Sequence, residues 1–281
     1  MRKRWLFALR KLVSRTFAGT FQSVKKGAGG IEFATFREYQ PGDAVRSISY
    51  RESLKHFRYF VRINTIEKGM VCLFVIDRSA SVGYGPSGIP KREIQDRILS
   101  ILAPAIAQNN NQVGFLVVTD RVEKYFEPRF GEKSVIERLT LISTYQPESK
   151  LTDLNLAFRA VFGLNIPADL IFILSDFYSP TDFRQSLKIL SRTHDVIPLV
   201  LKDPFETTTF PNIRGGMIHF RDLETGEFFW GEAPQKISNV PLFRQLGLDY
   251  VLLKTNEDEG DWIRKLVIVF EQRKKRRRRM R

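Results

Sequence analysis

The 281-residue chain is 43% apolar and carries 23 Phe, enough for a packed core and outside the composition of disordered chains. Its formal net charge of +14 sits at the ends: eight of the 45 Lys/Arg lie in residues 1–30 and eight in 273–281, with no acid in either stretch, which leaves 29 bases against 31 acids between them. The body is therefore near neutral, and the charge alone does not mark a nucleic-acid-binding body, although a basic end can hold phosphate or lipid headgroups without specificity.

From the start, Trp5, Leu6, Leu9, Leu12, Val13 and Phe17 recur at helical spacing with bases interleaved. Arg2–Phe21 thus reads as an amphipathic helix, not a signal peptide, packed on the protein's own body or else lying on a membrane surface. A Gly-rich break at Lys26–Gly30 leads into Ile31–Glu67, which has strand character. There Pro41-Gly42-Asp43 marks a turn, and Arg37, Glu38, Asp43 and Arg46 can pair with one another. They form either a structural ion-pair network or a second contact surface for a partner.

From Val71 the pattern changes to short apolar strands alternating with amphipathic helices. Strands are expected over Val71–Ile76, Val113–Thr119, Leu170–Ser175, Val196–Leu201 and Tyr250–Lys254. Helices are expected over Lys91–Gln108, Glu132–Ser143, Asp153–Phe162, Thr181–Ser191 and Gly260–Gln272. This alternation implies an α/β fold, a doubly wound, mostly parallel sheet with helices on both faces, preceded by a small N-terminal helix and strand extension. The expected division is 1–69, 70–272 and a basic tail 273–281. The longest apolar runs, Leu170–Leu174 and Phe115–Val118, fall far short of the roughly 20 residues that span a bilayer. The single cysteine, Cys72, lies inside the first strand and reads as a small buried hydrophobe in a protein of the reducing cytosol.

In doubly wound sheets ligands sit beyond the carboxyl ends of the strands. The first strand ends in Asp77-Arg78-Ser79-Ala80-Ser81, an Asp-x-Ser-x-Ser pattern that can turn one carboxylate and two hydroxyls toward a point. Thr152 precedes a helix and adds a hydroxyl; Asp176 ends another strand and adds a second carboxylate. Each has an ordinary explanation: Asp77 as a turn residue, Thr152 as a helix N-cap, Asp176 as a cap or turn acid. Together, they are hard oxygen donors suited to Mg²⁺ or Mn²⁺ rather than zinc.

The set Asp77, Ser79, Ser81, Thr152 and Asp176 resembles the metal-ion-dependent adhesion site of von Willebrand A domains. Phe33–Ile48, FATFREYQPGDAVRSI, is similar to the signature of the bacterial family called domain of unknown function 58, as are Asp203-Pro204-Phe205-Glu206 and Asp222–Gly226. The resemblance spans roughly residues 5–275. Tyr50 stands where that family usually has Trp, and Val82 where it usually has Met; neither removes a ligand.

The resemblance implies a divalent ion with an open position completed by a partner's Glu or Asp. It also implies work beside an AAA+ ATPase of the MoxR type and its client, in assembling or activating a complex. The family often carries transmembrane helices ahead of this domain, whereas no such span is visible in this sequence, so a soluble form is expected here: cytoplasmic, or peripheral at the inner membrane surface. A small-molecule substrate and catalysis are not expected. His56, His194 and His219 adjoin none of the site loops, and no Walker loop or Ser-His-Asp set can be placed. The alternatives are a nucleic-acid- or membrane-surface protein acting through its basic ends and, behind it, a metal-dependent hydrolase.

Overall fold

A computed structural model describes residues 22–23, 31–67, 69–85, 88–108, 110–204, 218–221, 228–231 and 239–279. The helix expected over Arg2–Phe21 and the motif pieces at Phe205-Glu206 and Asp222–Gly226 lie outside these residues. The chain forms a smaller compact unit within residues 19–69 and a larger one from residue 70 onward.

In the smaller unit, β1 (Gln22–Ser23), β2 (Ile31–Glu38), α1 (Tyr50–His56) and β3 (Phe60–Glu67) follow in order, with the antiparallel strands arranged β1-β3-β2. The expected turn is present. Pro41 supplies a fixed φ and Gly42 adopts φ 103°, the combination a type II turn requires. The Asp43 amide donates to the Gln40 carbonyl at 3.0 Å. Arg37 pairs with Asp43 at 2.8 Å, whereas Glu38 turns to Arg58 at 3.0 Å. Arg46 lies on the short 3-10 turn Val45–Ser47.

The larger unit begins with β4 (Val71–Asp77), α2 (Lys91–Ala107), β5 (Gln112–Val118), β6 (Val122–Arg129), α3 (Glu132–Thr144) and α4 (Leu154–Gly163). It continues through β7 (Leu170–Ser175), α5 (Arg184–Thr193), β8 (Asp195–Lys202), the antiparallel pair β9 (Ile218–Arg221) and β10 (Phe228–Gly231), α6 (Val240–Gln245), β11 (Val251–Lys254) and α7 (Glu259–Arg279). Its six-stranded sheet runs β11-β8-β7-β4-β5-β6, parallel except for β6. The strands read as continuous apolar runs because both faces are covered. Along β4, Cys72, Phe74 and Ile76 point to a layer shared with α2, α3 and α7, while Leu73 and Val75 point to one shared with α4, α5 and α6. Register places Phe74 opposite both Phe115 and Phe172, and the rings stack at 5.7 and 5.0 Å between centroids.

Several elements differ from the sequence reading, β9, β10 and α6 among them, and two of the differences are informative. β6 was not expected: its burial alternates, it holds Pro128, and it forms the antiparallel edge where a missing amide is tolerated. Gly114 on β5 makes room for it, since a Cβ there would lie 2.9 Å from the Pro128 ring. At the other end, α7 does not stop at Gln272 but runs to Arg279. Trp262, Ile263, Leu266 and Phe270 bury one face. The stripe continues into Arg273, which is buried and pairs with Asp195 and with Asp249 at 3.1 Å. The first residue of the basic stretch is thus a structural cation. Among the described residues no helix is long and apolar enough to cross a membrane.

Phe74 is fully buried at the centre of the ring ladder. Phe74→Ala is expected to cost about 3–5 kcal/mol, measured as a shift in the urea midpoint at unchanged slope.

Candidate functional site

Numbering the six strands of the large sheet in chain order, the sheet reads 6-5-4-1-2-3, so the winding direction switches between β4 and β7. Asp77 is the last residue of β4, and Asp176 follows the last residue of β7. These strands are hydrogen-bonded neighbours, paired as far as Ile76 with Leu174. The topology alone therefore brings the two carboxylates to one place.

Local contacts then fix each group. The Asp77 carboxylate accepts from the Ser79 amide at 3.0 Å and from the Ser175 hydroxyl at 2.6 Å. The first contact turns the chain so that the Ser79 and Ser81 hydroxyls lie 3.1 Å apart. The Ala80 amide donates to the Lys150 carbonyl at 2.9 Å, tying this loop to the segment that carries Thr152. Thr152 is buried but is not the N-cap of α4. That role belongs to Asp153, whose carboxylate accepts from the Leu156 amide at 3.0 Å. Beyond β7, Phe177 takes a left-handed φ of 55°, costly for a non-glycine residue. It is held there by its amide donating to Ser175 Oγ at 2.8 Å and by its buried ring packed 4.9 Å from Phe243. The resulting turn lets Asp176 accept from the Tyr178 amide at 3.0 Å.

Three further residues build the site and escaped the sequence reading. Gln95, fully buried on α2, donates to the carbonyls of Asp77 and Leu174 at 2.8 and 2.9 Å, clamping the two strand ends together. Ser175 bridges Asp77 to the Phe177 turn. Lys91, only 1% exposed, places its ammonium 2.8 Å from Asp176 Oδ2 and 3.3 Å from the Ser81 carbonyl. A signal for Lys91 existed: it is the first residue of α2, where the helix dipole disfavours a cation.

The two carboxylates titrate in opposite directions. Burial and the neighbouring Asp176 charge push Asp77 up to about 6, against the hydrogen bonds from Ser175 and Ser79. Burial also acts on Asp176, but Lys91 and then Lys202 outweigh it and hold that carboxyl below its ordinary value.

The donor set suits a hard divalent cation. All five candidate ligands offer oxygen, and adjacent ligands of an octahedral ion with bonds of about 2.1 Å lie roughly 3 Å apart, close to the hydroxyl pair's 3.1 Å. Among the described residues no group of three or more His, Cys, Asp or Glu side chains comes together, so this is a hydroxyl-rich site with two carboxylates. His194 lies at the opposite end of the sheet, just before β8, with Nδ1 2.7 Å from the Ala168 carbonyl.

A family model described as "Protein of unknown function DUF58" matches residues 35–237. The chain belongs to the DUF58 family. The uncharacterized proteins Rv1480 of Mycobacterium tuberculosis (strain ATCC 25618 / H37Rv) and Mb1516 of Mycobacterium bovis are each 22% identical to it, across 85% of this chain and 78% of theirs. Similar solved structures include an aerotolerance-related membrane protein from Bacteroides fragilis, 14% identical with a TM-score of 0.49, covering 74% of this chain and all of that one. The VWA domain of SpRpn10 is 13% identical with a TM-score of 0.44, covering 73% of this chain and 95% of that one. The DUF58 body here is a doubly wound sheet with an antiparallel edge strand.

The folded state holds the Asp77 proton more tightly than an unfolded chain, whose carboxyl titrates near 3.8. In EDTA the protein is therefore expected to lose stability as pH rises from about 4 to about 6, and Asp77→Asn to flatten that slope and gain roughly 1–3 kcal/mol at pH 7. Denaturant titrations across pH check both. Lys91→Met, which leaves Asp176 buried without its ammonium, is expected to cost about 3–5 kcal/mol in the same assay.

Proposed function

We propose that this DUF58 protein is a non-catalytic adaptor that docks a partner's carboxylate through a divalent ion, Mg²⁺ or Mn²⁺, at Asp77, Ser79, Ser81, Thr152 and Asp176. The observation that carries this reading is the switch-point juxtaposition of Asp77 and Asp176 beside two hydroxyls 3.1 Å apart.

When bound, the ion would supply an open coordination position for a carboxylate oxygen. The chain's own residues set the charge. At neutral pH the Asp77 and Asp176 carboxylates are offset in part by Lys91 and Lys202, which leaves the site less negative than a divalent cation is positive. The complex so formed keeps positive character and favours an incoming Glu or Asp. Ser175 and the Ser79 amide hold Asp77 in place, Lys91 holds Asp176, and Gln95 fixes the distance between the strands that carry them. With Asp77 and Asp176 both taken as ligands, the hydroxyl-rich set supports binding over hydrolysis. By family resemblance the partner is an AAA+ ATPase of the MoxR type together with its client. The free, buried Cys72 supports a reducing cytoplasmic setting.

Affinity capture with tagged protein in Mg²⁺, in EDTA and with Asp77→Ala tests the reading. An ATPase or client retained by the wild type in Mg²⁺ and lost in the other two arms is the expected outcome. Identical capture in all three, with no Mg²⁺ heat in calorimetry, sinks it.

A further inference from the structure

Beside the adhesion-type site lies a cavity of about 300 Å³ whose walls include Arg78, Ser79, Arg92, Gln146, Ser149 and Lys150, with no acidic residue among its lining. Its three cations are placed by specific contacts. Arg92 donates to the Tyr145 carbonyl at 2.6 Å and the Ser143 carbonyl at 3.2 Å, which fixes its guanidinium against the end of α3. Lys150 is held by its own carbonyl, bonded to the Ala80 amide at 2.9 Å, and its side chain is exposed. The wall formed by Gln146–Ser149 is organised by Glu123, whose carboxylate accepts from the Glu148 and Ser149 amides at 3.0 and 3.1 Å, from Tyr145 Oη at 3.0 Å and from Thr119 Oγ1 at 2.8 Å. Four donors on one carboxylate make this loop a built wall.

Arg78 is the decisive residue. Its side chain is 1% exposed and pairs with Asp96 through Nη2, yet its Nε and Nη1 are buried without a hydrogen-bond partner. A buried guanidinium with unmet donors is costly, and oxygen atoms from an anion are what it lacks. Arg92 and Lys150 line the same cavity as Arg78, and Asp96 is the carboxylate that pairs with Arg78. A ligand of negative charge complements this set, and a carboxylate or other planar oxyanion matches the guanidinium fork.

Ser79 belongs both to this cavity and to the candidate metal ligands. Two anion-attracting positions therefore share one residue of wall. Consecutive Cα atoms stand about 3.8 Å apart, so neighbouring acidic residues of one segment can reach both. We propose that the cavity receives a second carboxylate from the docking partner, so that the recognised segment is an acidic peptide with two close Glu or Asp side chains. This inference rests on the adaptor reading for the first carboxylate, but the second contact belongs to Arg78, Arg92 and Lys150 alone. It also gives the docking a direction, which a single metal–carboxylate contact lacks.

Fluorescence anisotropy with three labelled Gly/Ser octapeptides, carrying no Glu, one Glu or two adjacent Glu, tests the proposal in Mg²⁺ and in EDTA. Wild-type protein in Mg²⁺ is expected to bind the two-Glu peptide about tenfold tighter than the one-Glu peptide. The double variant R92E/K150E is expected to erase that preference while Mg²⁺ binding is still seen in calorimetry. K150E alone, at an exposed position, gives a partial loss and guards against disturbance of the loop by the Arg92 change. A two-Glu preference that survives R92E/K150E overturns the proposal, as do equal affinities for the two acidic peptides or the absence of two-Glu binding up to millimolar concentration. If EDTA and Asp77→Ala leave one-Glu binding untouched, the metal reading fails by itself. A two-Glu preference still erased by R92E/K150E in that case supports the cavity.

Discussion

Burying two carboxylates side by side is unfavourable, and much of the larger unit is arranged around that constraint. Asp77 and Asp176 meet because β4 and β7 are neighbours at the point where the sheet changes winding direction. Once they meet, each needs a different solution. Asp176 is ionised against the buried Lys91 ammonium, and burial together with that charge raises Asp77. Asp77 is in turn held by two hydrogen bonds, from Ser175 and the Ser79 amide. Removing one partner of such a buried set leaves an uncompensated charge, so these positions are coupled and their substitutions should not add.

The same constraint explains the uncommon features nearby. The left-handed backbone at Phe177 is the consequence of turning the chain sharply enough for Asp176 to face Asp77 while Phe177 enters the core. Gln95 crosses from α2 to two strand-end carbonyls, which the ladder between β4 and β7 no longer serves there. Both devices place strain or polarity at the carboxyl edge of a sheet that is otherwise apolar and regular. That edge is where a doubly wound fold can bind ligands without disturbing its core.

Much of this was legible in the sequence, for identifiable reasons. β4, β5, β7 and β8 are buried on both faces and so read as uninterrupted apolar runs, and the acids and hydroxyls ending them stood out by contrast. β6 was not legible, because an antiparallel edge strand with Pro128 and alternating exposure has the composition of a loop. Lys91 and Gln95 look like solvent-facing residues at the start of an amphipathic helix. Lys91's place as first residue of α2 was a weak sign, and the close approach of α2 to the strand ends buries both. The expected pairing of Arg37, Glu38, Asp43 and Arg46 was half right, since Glu38 finds Arg58, twenty positions away, rather than a neighbour in the motif. Sequence spacing finds local partners, whereas strand pairing creates distant ones.

Arg78 and Arg273 carry the same lesson for charge. Counted in the sequence, Arg273 belongs to a basic end and Arg78 to a near-neutral body. In the fold, Arg273 completes the apolar stripe of α7 and neutralises Asp195 and Asp249, two acids that lie near the amino ends of β8 and β11. Arg78 sits at the opposite, carboxyl edge, where one carboxylate satisfies only part of its guanidinium. The two arginines are about equally buried, and the number of unmet donors separates them. A cation whose partners are complete is architecture; one left with buried, unpaired donors beside a cavity points outward, to a ligand the chain does not itself supply.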